Sequence, residues 1–141
     1  MSALTVLMDR PPVFLRRALI LDAVASGATA LMMIAGADLV EGLLGLPGTL
    51  LRGAGLVLIP YVAFVIYAGT RSAISRAAVW AIVAANVLWA VASALLLVSG
   101  WVAPTALGYA FVIAQAVAVA LLGELQYVGL RRDQQLPMAA A

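Results

Sequence analysis

The feature of this sequence that most restricts its fold is a run of 47 residues, from Ala77 to Gly123, without a charged side chain. The run belongs to a chain of 141 residues that is 66% hydrophobic, with a mean hydropathy of +1.14. Charged residues make up 10% of the chain, against about 25% in a typical soluble domain. Because a soluble domain of this size cannot bury so much apolar surface, we expect lipid to surround most of the chain.

Four apolar segments are long enough to cross a membrane. A helix needs about 20 apolar residues to span a hydrocarbon core of ~30 Å. The segments run over residues 18–37, 50–70, 77–99 and 105–130. They are continuous rather than alternating, and backbone groups in lipid must be satisfied within the chain, so helices are predicted. The predicted fold is an all-α, polytopic membrane protein, with four transmembrane helices in a bundle over residues 18–132.

The arginines predict the orientation of this bundle. Seven of the eight arginines fall on one side of the predicted spans: Arg10, Arg16, Arg17, Arg71, Arg76, Arg131 and Arg132. Because short cytoplasmic loops are enriched in Lys and Arg, this side is predicted to be cytoplasmic. Both termini then lie inside, with residues 1–17 as an N-terminal segment and residues 133–141 as a loose tail.

The second and fourth spans end alike, which indicates two tandem helical hairpins. The second span ends Tyr67-Ala68-Gly69-Thr70-Arg71, and the fourth ends Tyr127-Val128-Gly129-Leu130-Arg131. Chance matching in an alphabet dominated by Ala, Leu and Val is the alternative. The tyrosines and arginines have a physical role in either case, because Tyr anchors a helix at headgroup level and Arg extends toward phosphates.

Ionisable groups inside a span are functional candidates because each is costly there. Asp22 follows Arg17 by five residues, and Glu124 precedes Arg131 by seven. At 1.5 Å per residue the two carboxyl groups lie roughly 7 and 10 Å inside the core. One interpretation is a polar cavity in which they bind a proton, a cation or a basic ligand, with Tyr67 and Tyr127 nearby. The other is that each carboxylate pairs with an interface arginine.

Neutral polar residues lie closer to the middle of the membrane. Asn86 lies in the third span and Gln115 in the fourth, while Pro60 interrupts the second. These groups could form a polar site for a small ligand or ion. The alternative is hydrogen bonding between helices, which is worth about 0.6 kcal/mol per contact on average in membrane proteins.

The composition also excludes several classes of function. The chain has no Lys, His or Cys. Thiolate nucleophiles are therefore excluded, and zinc clusters and histidine-ligated haem lack their usual ligands. Neither a metal nor another cofactor is predicted. A net charge of +2 gives no reason to expect nucleic-acid binding. An enzyme acting on lipid is the least favoured class, because catalytic side chains are so few.

A set of short motifs resembles a group of small, uncharacterised bacterial four-helix membrane proteins. The motifs are Leu21-Asp22-Ala23, Ser26-Gly27, Leu44-Gly45-Leu46-Pro47, Leu51-Arg52, Asn86, Leu88-Trp89, Ser93, Pro104-Thr105, Leu107-Gly108, Gln115-Ala116 and Gln126-Tyr127 with Gly129-Leu130-Arg131-Arg132. The resemblance implies the four-helix fold and a place in a bacterial inner membrane, but no activity. We therefore expect a non-enzymatic accessory or structural component of the lipid bilayer, either as a homo-oligomer or with a membrane-complex partner. The alternative is a small transporter or channel that uses Asp22 and Glu124.

Overall fold

A computed structural model describes the backbone of residues 13–140 and the side chains of residues 13–132. Of the predicted N-terminal segment, residues 1–12 lie outside the described part. Over the described backbone the chain is helical, without strands, in five helices: α1 (Val13–Ala35), α2 (Ala37–Leu44), α3 (Gly48–Thr70), α4 (Arg76–Ser99) and α5 (Ala106–Ala140). Helices α1, α3, α4 and α5 are each long and apolar enough to cross a membrane, which confirms the predicted fold class.

Helix α5 continues beyond the predicted end of the fourth span. The apolar part of this helix covers Ala106–Arg132, and the backbone remains helical to Ala140. Residues 131–136 contain neither glycine nor proline, so nothing in their sequence ends the helix. The backbone of the segment for which the sequence predicts a loose tail is helical over 133–140.

The long helices pack as two hairpins. Helix α1 packs mainly on α3, and α4 packs mainly on α5. The two hairpins meet chiefly where α1 lies against α5, whereas α3 scarcely touches α4. This arrangement makes α1 the central helix and leaves a cleft between α3 and α4.

Two glycines allow α3 and α5 to approach the N-terminal half of α1 closely. A Cβ atom on Gly69 of α3 would lie 3.2 Å from the Cβ atom of Leu19. A Cβ atom on Gly129 of α5 would lie 3.1 Å from the Cα atom of Leu15. Both leucines are fully buried. The shared Tyr-x-Gly-x-Arg endings thus flank one helix, with each glycine giving the close approach that membrane helices use in place of a hydrophobic drive.

At the other end of the bundle, α2 is a short helix packed on the ends of the long ones. Ala37, Val40 and Leu44 are its buried face. Helix α2 ends at Gly45, whose φ of 67° is readily adopted only by glycine. The last carbonyl groups of α2 have no partners within the helix. Thr105 supplies two donors, because its backbone N–H donates to the Leu44 carbonyl and its hydroxyl donates to the Leu43 carbonyl. The same hydroxyl accepts from the Gly108 N–H at the start of α5.

The interior of the bundle is divided by a polar layer. One buried apolar cluster, toward α2, includes Met33, Leu51 and Val112. The other, toward the arginines, includes Leu15, Leu19, Val65, Ile82 and Leu130. Along α3 and α4 the residues that fall between these clusters are Tyr61 and Asn86. The outer surface, by contrast, exposes many large apolar side chains, as lipid-facing helices do.

Candidate functional site

The polar layer is centred on the carboxyl group of Asp22, which is fully buried. Its Oδ1 atom accepts a 2.9 Å hydrogen bond from the Ser26 hydroxyl, one turn along α1. Its Oδ2 atom accepts from the Tyr61 hydroxyl at 2.6 Å, from Gln126 Nε2 at 2.7 Å and from Asn86 Nδ2 at 3.1 Å. Four long helices therefore meet at one carboxyl group.

The partners of Asp22 are joined to one another as well. Asn86 donates a second hydrogen bond, of 3.0 Å, to Oε1 of Gln126. The Tyr61 hydroxyl lies 3.1 Å from Asn86 Oδ1. A Cβ atom on Gly123 would lie 3.3 Å from the Cβ atom of Asn86, so the missing side chain lets α5 approach α4 here. Among the described residues, no buried side-chain nitrogen or oxygen lacks a partner.

The second predicted carboxylate, Glu124, does not join this cluster. Its side chain is exposed on α5, whereas Gln126, two residues later, is fully buried. Two residues turn a helix by about 200°, so the two side chains leave α5 on nearly opposite sides. Asp22 and Glu124 therefore do not form a joint site.

The expected pairing of these carboxylates with interface arginines is also not found. Over residues 13–132 the salt bridge present joins Arg52 and Asp38, at the α2 end of the bundle. Arg16, six residues before Asp22 on α1, instead donates to the backbone carbonyls of Gly69, near the end of α3, and of Ser72, just after it. The partners of Asp22 are neutral.

Tyr67 and Tyr127 lie away from the cluster, on the outer surface. The guanidinium of Arg71 lies 4.9 Å from the centre of the Tyr67 ring, and that of Arg131 lies 5.7 Å from the centre of the Tyr127 ring. Each pair is a cation–π contact between residues four apart, with Arg71 directly after the end of α3 and Arg131 within α5. The two tyrosines thus match the predicted interface anchors rather than the predicted site.

Gln115 belongs to a second, smaller polar group farther along the bundle. Its Oε1 accepts a 2.8 Å hydrogen bond from the Trp89 indole N–H, and its Nε2 donates to the Ser93 hydroxyl at 2.9 Å. These bonds join α4 to α5. The predicted hydrogen bonding between helices is therefore present, but Asn86 and Gln115 take part in separate groups.

The two polar groups lie along one cavity of about 400 Å³ between the hairpins. Ser26, Tyr61 and Asn86 line one part of its wall, and Trp89 and Gln115 line another. Apart from Thr29, whose hydroxyl donates to the Ala25 carbonyl, the rest of the wall is apolar. It comes from all four long helices: Ala25, Val57, Leu58, Ala85, Leu88, Ala92, Ala118, Val119 and Leu122. Asp22 does not line the cavity itself but lies directly behind three of its polar wall residues.

Tyr61 is not among the residues that the sequence predicts for the site, and Gln126 is not predicted to lie with Asp22. Two signals could have found them. Tyr61 lies in the middle of a span, whereas tyrosines in membrane helices are enriched at the interfaces. Gln126 lies between Gly123 and Gly129, one helical turn from each, on the face where α5 has its small residues.

Comparison with known protein families, curated proteins and solved structures gives no match for this chain. The geometry of the cavity and of the Asp22 cluster therefore carries the functional argument alone.

Proposed function

We propose that this chain is a small transporter of the bacterial inner membrane that binds a small, largely apolar molecule in the cavity between its two hairpins. The observation that carries the proposal is the cavity itself. Its volume of about 400 Å³ falls in the range of small-molecule sites, about 300–1,000 Å³. Mostly apolar walls with a few convergent polar groups are also characteristic of such sites.

A structural protein would gain nothing from this space. Membrane helices associate through close packing, and an interior gap forfeits dispersion contacts along its lining. The hairpins pack tightly within themselves, yet Val57 of α3 and Leu88 of α4 line the cavity without closing the cleft between their helices. Retaining the gap is therefore consistent with occupation by a ligand.

A matched pair of variants tests the location of binding. Ala92 lines the cavity, whereas Ala94, on the same helix and also exposed, does not. Replacing Trp80 and Trp101 with Phe leaves Trp89 as the only indole, because the chain has three tryptophans. When the neutral probe neopentylbenzene is titrated into the protein in nanodiscs, the fluorescence of Trp89 should change and reach a plateau.

Ala92→Phe should raise the dissociation constant of neopentylbenzene at least about tenfold, because a loss of about 1.4 kcal/mol of binding free energy has that effect. Ala94→Phe should leave it unchanged and so controls for dissolution of the probe in lipid. Equal saturation of both variants, or none in the parent protein, would contradict binding in the cavity.

The orientation is part of the same proposal. Arg16, Arg17, Arg71, Arg76, Arg131 and Arg132 all lie toward one end of the bundle, which we place in the cytoplasm with both termini. Since the chain has no cysteine, single cysteines can report the sides directly. Ser72→Cys should react with an impermeant maleimide only after cells are opened, and Ala103→Cys should react in intact cells. The reverse pattern would refute the orientation.

An accessory role is the second candidate, and Glu124 is the observation that favours it. Its exposed carboxylate lies within the apolar part of α5, on the same exposed stripe as Ala110, Ala114 and Val117. A carboxylate facing lipid is costly, so a partner helix or a second copy would stabilise it. Native mass spectrometry from lipid distinguishes the candidates, because an accessory protein should carry a fixed partner that Glu124→Gln releases.

A further inference from the structure

We infer that the ligand is a small lipophilic cation, held by the negative charge of Asp22 and reaching the cavity sideways through the cleft between α3 and α4. This inference rests on the proposed function and adds the class of ligand to it. Three features of the described residues carry it: the charge balance of the cavity, the chemistry of its wall, and the place where it opens.

The charge balance is one-sided. Asp22 is fully buried, and its hydrogen-bond partners Ser26, Tyr61, Asn86 and Gln126 are all neutral. None of the residues that line the cavity is charged. Because charges interact more strongly in a medium of low dielectric constant than in water, this carboxylate attracts a positive ligand in the cavity and repels an anion.

The wall chemistry selects the kind of cation. A hard metal ion requires six or more oxygen ligands, but here hydroxyl and amide donors occupy both carboxylate oxygens of Asp22. The wall offers instead two aromatic rings, those of Tyr61 and Trp89, together with aliphatic side chains. Aromatic rings bind quaternary ammonium groups through cation–π attraction, and aliphatic walls accept an apolar body. A bulky organic cation therefore fits better than a bare metal ion.

The cavity has an exposed rim at the cleft between α3 and α4. Its lining includes Val57 of α3 and Leu88 of α4, which are 62% and 68% exposed. These two helices scarcely touch, so the cleft between them leads from the outer surface to the polar wall. A ligand that uses this route must dissolve in the bilayer, which requires an apolar body around its charge.

The test compares two probes of nearly the same shape. Benzyltrimethylammonium carries a positive charge, and neopentylbenzene replaces its nitrogen with carbon. Binding of each to the full chain in nanodiscs is measured by fluorescence of Trp89 in the Trp80→Phe, Trp101→Phe background. The cation should bind about tenfold more tightly than its neutral isostere, as expected for cation–π attraction assisted by a nearby charge.

Two carboxylate variants identify the responsible charge. Asp22→Asn should remove the preference for the cation while binding of the neutral isostere remains, which also shows that the cavity is intact. Glu124→Gln removes an exposed carboxylate on α5 and should leave the preference unchanged.

The outcomes separate the cation inference from the proposed function. Equal affinity for both probes in the parent protein, or an unchanged preference in Asp22→Asn, overturns the cation inference and leaves the cavity as a site for neutral ligands. Tighter binding of sodium than of benzyltrimethylammonium overturns it in favour of a metal ion. Failure of both probes to bind overturns the proposed function as well.

Discussion

Replacing Asp22 with alanine removes an acceptor that four donors share. Ser26, Tyr61, Asn86 and Gln126 each lose one hydrogen bond. Contacts of this kind are worth about 0.6 kcal/mol on average in membrane proteins and up to about 1.7 kcal/mol. Because Asp22 is fully buried and accepts all four bonds, we expect Asp22→Ala to lower the free energy of unfolding by about 2–3 kcal/mol.

Asp22→Asn should behave differently, for a reason that the geometry supplies. Three donors converge on Oδ2, where the asparagine carbonyl oxygen can accept them. The amide nitrogen then takes the place of Oδ1 and donates to Ser26, whose hydroxyl can accept as well as donate. All four contacts survive, so this variant should lose less than about 1 kcal/mol.

Reversible unfolding in mixed micelles measures both variants on one scale. Ser26→Ala in the parent and in Asp22→Ala completes a double-mutant cycle, in which Ser26 should cost about 0.6 kcal/mol with Asp22 present and near zero without it. Equal destabilisation by Asp22→Asn and Asp22→Ala would refute this account, because it would mean that the charge rather than the hydrogen bonds holds the helices together.

Other contacts give further predictions for the same unfolding assay. Gly108→Ala places a Cβ atom on a carbonyl of α2 and should cost about 1–3 kcal/mol, whereas Gly53→Ala meets nothing within 4 Å and should stabilise α3 by about 0.5–1 kcal/mol; equal effects would contradict the packing. Gln115→Met leaves the Trp89 indole N–H without its acceptor and should cost about 1–3 kcal/mol, with a shift in Trp89 emission. Arg16→Met removes the donor at the carboxyl end of α3 and should cost about 0.5–1.5 kcal/mol; an unchanged stability would show that water replaces it.

The polar residues illustrate how far the sequence could predict the site. Asp22 and Asn86 are singled out by being polar within apolar spans, and the structure brings them into contact. Glu124 is singled out by the same argument, yet it is exposed. The energetic cost of a polar side chain in a membrane span therefore identifies candidate residues, but it does not show which of them faces the interior of the bundle.

The missing information is the direction in which each helix faces. In a soluble protein an apolar stripe marks the buried face of a helix. Helices in lipid are apolar on all sides, because the surface that faces lipid is as apolar as the surface that faces the core. The signals that single out Tyr61 and Gln126 do not pair them with Asp22, because that pairing depends on how α3 and α5 pack around α1.

The sequence by itself determined that the chain has four apolar helices, where they begin and end within five residues apart from the end of α5, and that the arginines gather at one end. These properties follow from the summed hydropathy of each segment and from the positions of the charges, so no contact between helices is needed to define them. The tertiary structure alone decided that Asp22 accepts hydrogen bonds from neutral donors, that Glu124 is exposed on the surface of the bundle, and that a cavity lies between the hairpins. Those properties depend on the rotation and pairing of helices, which close approach at Gly69, Gly123 and Gly129 fixes and which hydropathy does not encode.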